Sequence, residues 1–287
     1  MVIQQAIGFI GGGNMGEAMI KGLIKSGVAE AGNLWFFDMD PSRQKDLLDK
    51  YGIRLAESNH ELTRQCRIIV LAVKPQIIDR VLSEITASLT MDHLLISIAA
   101  GITLEHIQNA LLIPGPVVRV MPNTPALVMA GATAMSRGIY ATSDHIKLAR
   151  GIFEAVGMVV EVEEKYMDVV TGLSGSGPAY VFTFLDAMTD GGVRLGLTRE
   201  QARRLCVQTI LGSAKLALET GMHPAALRDM VTSPGGTAVA GLFALEKGAF
   251  RATVMEAISA ASARSKELGS RYRDTEVGGK IEEEPKR

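Results

Sequence analysis

The chain has 287 residues, 47% hydrophobic and 21% charged, with a formal net charge of -1. That balance belongs to a packed globular protein of one large or two ordinary domains and excludes a disordered or low-complexity chain. Near-neutrality without a basic stripe excludes a binder that works mainly by neutralising nucleic-acid phosphates.

The opening, Met1-Val2-Ile3-Gln4-Gln5, has no basic n-region and leads into a glycine cluster, so no secretory leader is expected. Apolar, largely β-branched or aromatic runs at 6–10, 34–37, 68–73, 94–98 and 117–120 alternate with polar, periodic segments of helical length at 14–26, 42–51 and 76–89. Strands apolar on both faces and separated by helices predict a parallel sheet covered on both sides. This is an α/β fold beginning with an N-terminal Rossmann-type doubly wound sheet. Runs at 132–136 and 158–162 read as further strands closing the domain. None of the apolar runs is long enough to span a bilayer, so no membrane contact is expected. Cys66 and Cys206 lie far apart in apolar stretches, at no metal-ligand spacing, and read as reduced buried thiols. The expectation is a cytoplasmic protein without a metal site.

Near Lys165 the character changes. Pro178 suits the first turn of a helix stopped by Gly196, and Thr198 with Gln201 forms a capping-box pattern for a helix closed by Gly221. His223-Pro224 starts another helix, Ser233-Pro234-Gly235-Gly236 interrupts, and two helices follow to about Leu268. The predicted division is a dinucleotide-binding domain at 1–165, an all-helical C-terminal domain at 166–268 and a charged, flexible tail at 269–287.

The strongest local signal is Gly11-Gly12-Gly13-Asn14-Met15-Gly16, a G-x-G-x-x-G spacing after a strand and before a helix. Gly11 permits the tight turn, Gly13 lets the backbone approach a pyrophosphate, and Gly16 lets helix and strand pack closely. The helix N-terminus then offers N–H groups and partial positive charge to the phosphates. Asp38 ends the second strand about 20 residues after Gly16, where an acid binds a ribose 2′-hydroxyl. A carboxylate there favours NADH, while Ser42 and Arg43 offer an alternative grip on the 2′-phosphate of NADPH. Ala72-Val73-Lys74-Pro75, Ala99-Ala100-Gly101 and Met121-Pro122-Asn123-Thr124-Pro125 all follow strands, at the carboxyl ends where doubly wound sheets bind ligands. Small residues and a stiff polar loop around Asn123 suit a nicotinamide, with Lys74 either touching the cofactor or capping a strand end.

Two glycine-rich interruptions in the helical half precede helices: Leu173-Ser174-Gly175-Ser176-Gly177-Pro178 and Thr232-Ser233-Pro234-Gly235-Gly236-Thr237. Free N–H groups and small hydroxyls, such as that of Ser176, are the ingredients of a carboxylate site. With the loops of the first domain, these motifs resemble in order and spacing the pyrroline-5-carboxylate reductase family, over about residues 7–268. The resemblance implies NADH- or NADPH-dependent reduction of a small imino-acid substrate, 1-pyrroline-5-carboxylate, to L-proline. It also implies that the helical domain is a dimerisation domain, giving an intertwined homodimer that assembles further into a ring of dimers, a decamer. Asn59 then corresponds to a cofactor-ribose contact, and Ala72, Lys74 and Ala100 to the nicotinamide side. Ser233, Gly235, Gly236 and Thr237 correspond to the substrate-carboxylate loop, with Glu164 a further substrate-site candidate.

One position departs from the family pattern. Many members carry two threonines after the Gly-Gly pair, whereas this chain has Thr237-Ala238, leaving Thr237 as the catalytic candidate. A protonated cyclic imine already accepts hydride well, so an enzyme that aligns and desolvates it needs no strong general acid. The alternatives are a related imine or keto-acid reductase with another substrate, and a non-catalytic nucleotide-binding regulator.

Overall fold

The computed structural model describes residues 2–270. Its contacts divide the chain into one unit running through Gly175 and resuming at Ala260, and a second unit, Ser176–Ser259. The division lies beyond the expected boundary at Lys165. The short helix Met167–Val170 and the π turn Thr171–Gly175 stay with the first unit, where the Met167 side chain is fully buried.

The first unit is built on eight strands: β1 (Ile7–Ile10), β2 (Leu34–Phe37), β3 (Arg54–Leu55), β4 (Ile68–Leu71), β5 (Leu94–Ser97), β6 (Val117–Met121), β7 (Gly131–Arg137) and β8 (Gly157–Glu161). They lie in the order β3-β2-β1-β4-β5-β6-β7-β8, a doubly wound arrangement whose order reverses beside β1. Neighbours are parallel except β6 and β7. The direction of β7 was left open by the sequence: residues 122–130 are too few for a crossover, so the chain turns straight back. β3, two residues with a charged first position, is too short to register as a hydrophobic pattern.

Period-two alternation splits the strands between two cores. Ile7, Phe9, Ile68, Val70, Leu94 and Ile96 point to one face, with Met19, Ile20 and Leu23 of α1 (Asn14–Lys25) and Leu47 of α2 (Pro41–Tyr51). Ile10, Ile69, Leu71 and Leu95 point to the other, where Leu62 of α3 (Asn59–Gln65) packs. The same face holds Ile78, Val81, Leu82 and Ile85 of α4 (Ile78–Ile85), and Leu104 and Ile107 of α5 (Leu104–Asn109). The α4 spacing i, i+3, i+4, i+7 is a helix with one apolar stripe. On the first face α6 (Ser143–Glu154) adds Ile152 and Phe153. Each such side chain contributes roughly 1.5–3 kcal/mol by leaving water.

After the single-turn α7 (Met167–Val170), the second unit contains α8 (Gly177–Arg194), α9 (Arg199–Thr220), α10 (Pro224–Met230), α11 (Thr237–Lys247) and the start of α12 (Phe250–Ser270). Its punctuation follows the expected chemistry. Thr198 and Gln201 close a reciprocal capping box on α9, Gly221 ends that helix at φ 61°, and Pro224 opens α10. Among the described residues of this unit only Thr189, Ala202 and Cys206 are buried. Of the tail expected over 269–287, Gly269 is a buried helical residue packed on Gly101, and positions beyond 270 lie outside the described residues. Among the described residues no helix is long and apolar enough to cross a membrane.

Candidate active site

The carboxyl ends of β1, β4, β5 and β6 open onto a cavity of about 700 Å³. Gly11, Gly13, Asn14, Met15, Asp38, Ala72, Val73, Lys74, Pro75, Ala100 and Asn123 all line it, so eleven residues singled out from sequence meet at one groove. The glycines divide their work as steric reasoning requires. Gly11 has φ 100°, and a Cβ there would lie 2.6 Å from the Ala72 carbonyl oxygen. A Cβ on Gly16 would lie 2.5 Å from the Gly11 oxygen, so these two permit backbone packing behind the groove. A Cβ on Gly13 would meet nothing within 4 Å. Gly13 is therefore spared by no protein contact, and the open space beside it suits a ligand against the backbone.

Asp38 is aimed by the turn it faces. Its Oδ2 accepts from the Gly12 N–H at 2.7 Å and its Oδ1 from the Asp40 N–H at 3.0 Å. The Asp40 side chain in turn caps α2 through the Ser42 N–H, and the Ser42 hydroxyl donates to the same carboxylate at 2.7 Å. Asp38 also lines a smaller adjoining cavity with Asn59, Met39 and Arg80. Asn59, the first residue of α3, is 6% exposed and donates its amide to Glu84 Oε2 at 2.7 Å. Its Oδ1 is buried with no partner, a cost a ligand hydroxyl would relieve. An open backbone approach, a helix N-terminus, a fixed carboxylate and an orphaned acceptor fit a dinucleotide.

Other expected residues sit differently. The Ala99 side chain is buried in the core beneath the groove rather than lining it, because alternation along the chain turns Ile98 and Ala100 outward. Gly101, at φ 78°, spends its missing Cβ on close approach to the Gly269 backbone. Asn123 lines the groove, but its side chain is committed: the amide donates to the Ser174 carbonyl at 3.0 Å and Oδ1 accepts from the Ala132 N–H at 2.9 Å. It pins the loop from within. Glu164 is no solvated acid. Its Oε1 pairs with Arg119 at 2.7 Å and accepts from the Leu104 N–H at 3.1 Å. It lines a separate cavity with Ser136, Arg137 and Glu161. Arg119 is buried in β6 and needs that counter-charge.

In the second unit Ser176 stands at the N-cap of α8. Ser233 to Thr237 form an exposed turn in which Gly235 takes φ 67° and the Gly236 N–H donates to the Ser233 carbonyl at 2.9 Å. Gly236 is the N-cap of α11 and supplies no capping side chain.

Sequence reasoning missed the charged cluster beside the glycine turn. Arg43, 21% exposed at its side chain, pairs with Glu17 and with Asp46 at 2.8 Å, and its Nε donates to the Gly12 carbonyl. Lys50 adds a contact to Asp46 at 2.9 Å and Tyr51 donates to Glu17 at 2.9 Å. Burial opposes ionisation of Glu17, but the bonds from Arg43 and Tyr51 and the nearby cations outweigh it and hold its carboxyl below the ordinary value. The Arg43/Asp46 and Asp46/Lys50 spacings were visible as helical i, i+3 and i, i+4 pairs; the reach to Glu17 was not. Cys66, buried behind β1, is an inert thiol whose pKa burial pushes up to about 12.

Comparison with known proteins agrees with this geometry. Residues 164–268 match the family model described as pyrroline-5-carboxylate reductase dimerisation, and residues 6–101 the model described as NADP oxidoreductase, coenzyme F420-dependent. The pyrroline-5-carboxylate reductase of Methanosarcina acetivorans is 49% identical over 93% of this chain and 99% of its own length. The chain belongs to the pyrroline-5-carboxylate reductase family. The Escherichia coli reductase is 45% identical over 93% of this chain and 99% of its own. The crystal structure of the Plasmodium falciparum pyrroline carboxylate reductase with NADP bound superimposes with a TM-score of 0.85 at 36% identity, covering 94% of this chain and all of that one. The dimerisation model of the reductase family thus covers the helices whose apolar side chains stand exposed.

Proposed function

We propose that this member of the family reduces 1-pyrroline-5-carboxylate to L-proline with NADH or NADPH as the reductant. The observation that carries the reading is a groove at the strand carboxyl ends that fits a dinucleotide, in a chain that aligns almost end to end with reductases of that name. Bound there, the reduced nicotinamide supplies a hydride to the imine carbon. The protein's own contribution is to hold, orient and desolvate the two reactants.

Gly13, with Asn14 and Met15 at the start of α1, receives the pyrophosphate on backbone N–H groups, while the Gly12 N–H holds Asp38 in place. Gly11 and Gly16 keep that turn close to the sheet. Asp38 and Asn59 accept from ribose hydroxyls. Ala72, Val73, Lys74, Pro75 and Ala100 form the nicotinamide wall, supported from behind by Ala99, Gly101 and the two hydrogen bonds of Asn123. In the second unit Ser176, Ser233, Gly235, Gly236 and Thr237 take the substrate carboxylate on hydroxyls and helix-terminal N–H groups. With alanine at 238, Thr237 is the side chain assigned to the reacting ring nitrogen, its hydroxyl accepting from the protonated imine. Glu164 acts at a distance by neutralising Arg119.

The exposed apolar helices support a homodimer formed through the second unit, with dimers further arranged in a ring. Free buried thiols and the absence of a long apolar helix among the described residues are consistent with a cytoplasmic setting.

The test is loss of reduced-nicotinamide absorbance on adding 1-pyrroline-5-carboxylate, with proline identified as product. Gly13→Val should fold normally yet bind cofactor at least tenfold more weakly, since its side chain meets only the ligand's space. Cofactor binding with no turnover of the imine would overturn the assignment.

A further inference from the structure

The groove around the adenosine-side ribose is lined with acceptors. Asp38 offers a carboxylate already oriented by the Gly12 and Asp40 N–H groups. Asn59 turns its amide nitrogen to Glu84, since only a donor can meet that carboxylate, and this leaves Oδ1 buried without a partner in the wall of the same cavity. A ribose hydroxyl donates to such groups; a 2′-phosphate brings only acceptors and negative charge. Repulsion between a carboxylate and a phosphate a few ångströms apart exceeds tenfold in affinity even at an effective dielectric of about 20.

The cations nearby do not reverse this. Arg80 lines the cavity, but its guanidinium lies 3.7 Å from Glu84, and with Asp38 the three groups sum to a net negative charge. Lys74 lies along the larger cavity on the nicotinamide side. Arg43 is the natural phosphate ligand: its Cγ and the Asp38 Oδ2 lie within 3.6 Å and 3.5 Å of the same point, where a Gly12 Cβ would be. Yet Arg43 lines neither cavity. Its three nitrogens go to the Gly12 carbonyl, Glu17 and Asp46, and Tyr51 and Lys50 brace those acids from behind.

We propose that this reductase is selective for NADH over NADPH, and that Glu17 and Asp46 are positioning residues that enforce the selectivity by holding Arg43 out of the ribose pocket. The inference rests on the reductase reading above and adds the identity of its cofactor.

Equilibrium titration of the purified full-length protein with each reduced cofactor, followed by nicotinamide fluorescence, tests it without turnover. The wild type should bind NADH at least tenfold more tightly than NADPH. Asp38→Asn should narrow the ratio from both sides. The double variant E17Q/D46N should bind NADPH about fivefold more tightly while changing NADH less than twofold, because a released guanidinium meets the 2′-phosphate alone. Adding Arg43→Ala to that variant should remove the gain; a general loosening of the turn would not respond in this way. Equal or tighter binding of NADPH by the wild type overturns the selectivity, whatever the variants do. A gain that survives without Arg43 overturns the role given to Glu17 and Asp46. Failure of both cofactors to bind overturns the inference and the reductase reading together, whereas NADH-selective binding without turnover of the imine overturns the reductase reading alone.

Discussion

In the sheet unit Phe9, Phe36 and Phe153 are completely buried, whereas in the helical unit Phe182 and Phe243 are 61% and 72% exposed. The two halves have comparable hydrophobicity in sequence but solve burial differently. A sheet has two faces, and helices that follow each strand cover both within one chain, so the first unit completes its own core. α8 and α9 pack on each other and bury Ala202 and Cys206, while Leu205, Leu211 and Leu218 of α9 remain exposed. Helices that leave large apolar side chains in water over a wide surface need further packing partners. A unit with almost no core among its described residues needs further packing partners; a unit with two cores does not.

That contrast can be broken experimentally. The largest effect is expected from Phe9→Ala, which should lower the unfolding free energy by about 3–5 kcal/mol in denaturant titration while leaving the oligomeric state unchanged. If it also dissociates the protein, the sheet unit is not self-sufficient. Glu164→Gln should cost about 3 kcal/mol by stranding the buried Arg119 charge, and restoring neutrality with Arg119→Met in the same chain should recover most of it. In the helical unit, Phe243→Asp should act on assembly: sedimentation should show a rise of about 100-fold in the dimer dissociation constant, equivalent to roughly 2.7 kcal/mol. An unchanged constant would place the covering surface elsewhere. Thr198→Ala, which removes one side of the α9 capping box, should cost about 1 kcal/mol in thermal unfolding.

The smallest effect concerns pH. The Glu17 carboxyl is held below its ordinary value of 4.5 in the folded protein. Its contribution is therefore complete above that value and is lost as pH falls through the folded pKa. Glu17→Gln should be less stable than wild type at neutral pH by under about 1 kcal/mol, a difference reduced by solvent screening. The two stability curves should converge in acid. Curves that stay parallel would show that the Arg43 pairing contributes nothing to folding.

How much of this was legible beforehand depended on range. The strands β1, β2, β4, β5 and β6 stood out as short apolar runs, and α9 was bounded by Thr198 and Gly221 because capping and left-handed stops are local steric requirements. The glycine turn was readable for the same reason, and the groove residues followed from the rule that ligands sit at strand carboxyl ends. Ala99 and Gly101 were assigned to the groove with their neighbour Ala100 because a motif does not say which way each residue faces; the turn of the backbone did. An arginine in the apolar run of β6 was a visible signal that a buried partner had to exist, but not that Glu164, 45 residues away, would be it.

The order of strands and helices, the glycine turn before α1 and the punctuation of the helical half were determined by the sequence itself, since each depends on steric and hydrogen-bonding preferences within a few residues. Tertiary structure alone decided that β7 runs antiparallel, that Asn59 keeps an unpaired acceptor and that Arg43 is tied to Glu17, 26 residues earlier in the chain. Those outcomes come from which segments are brought side by side, and a charge or an amide commits to a partner only when packing has excluded water and put the partner within reach.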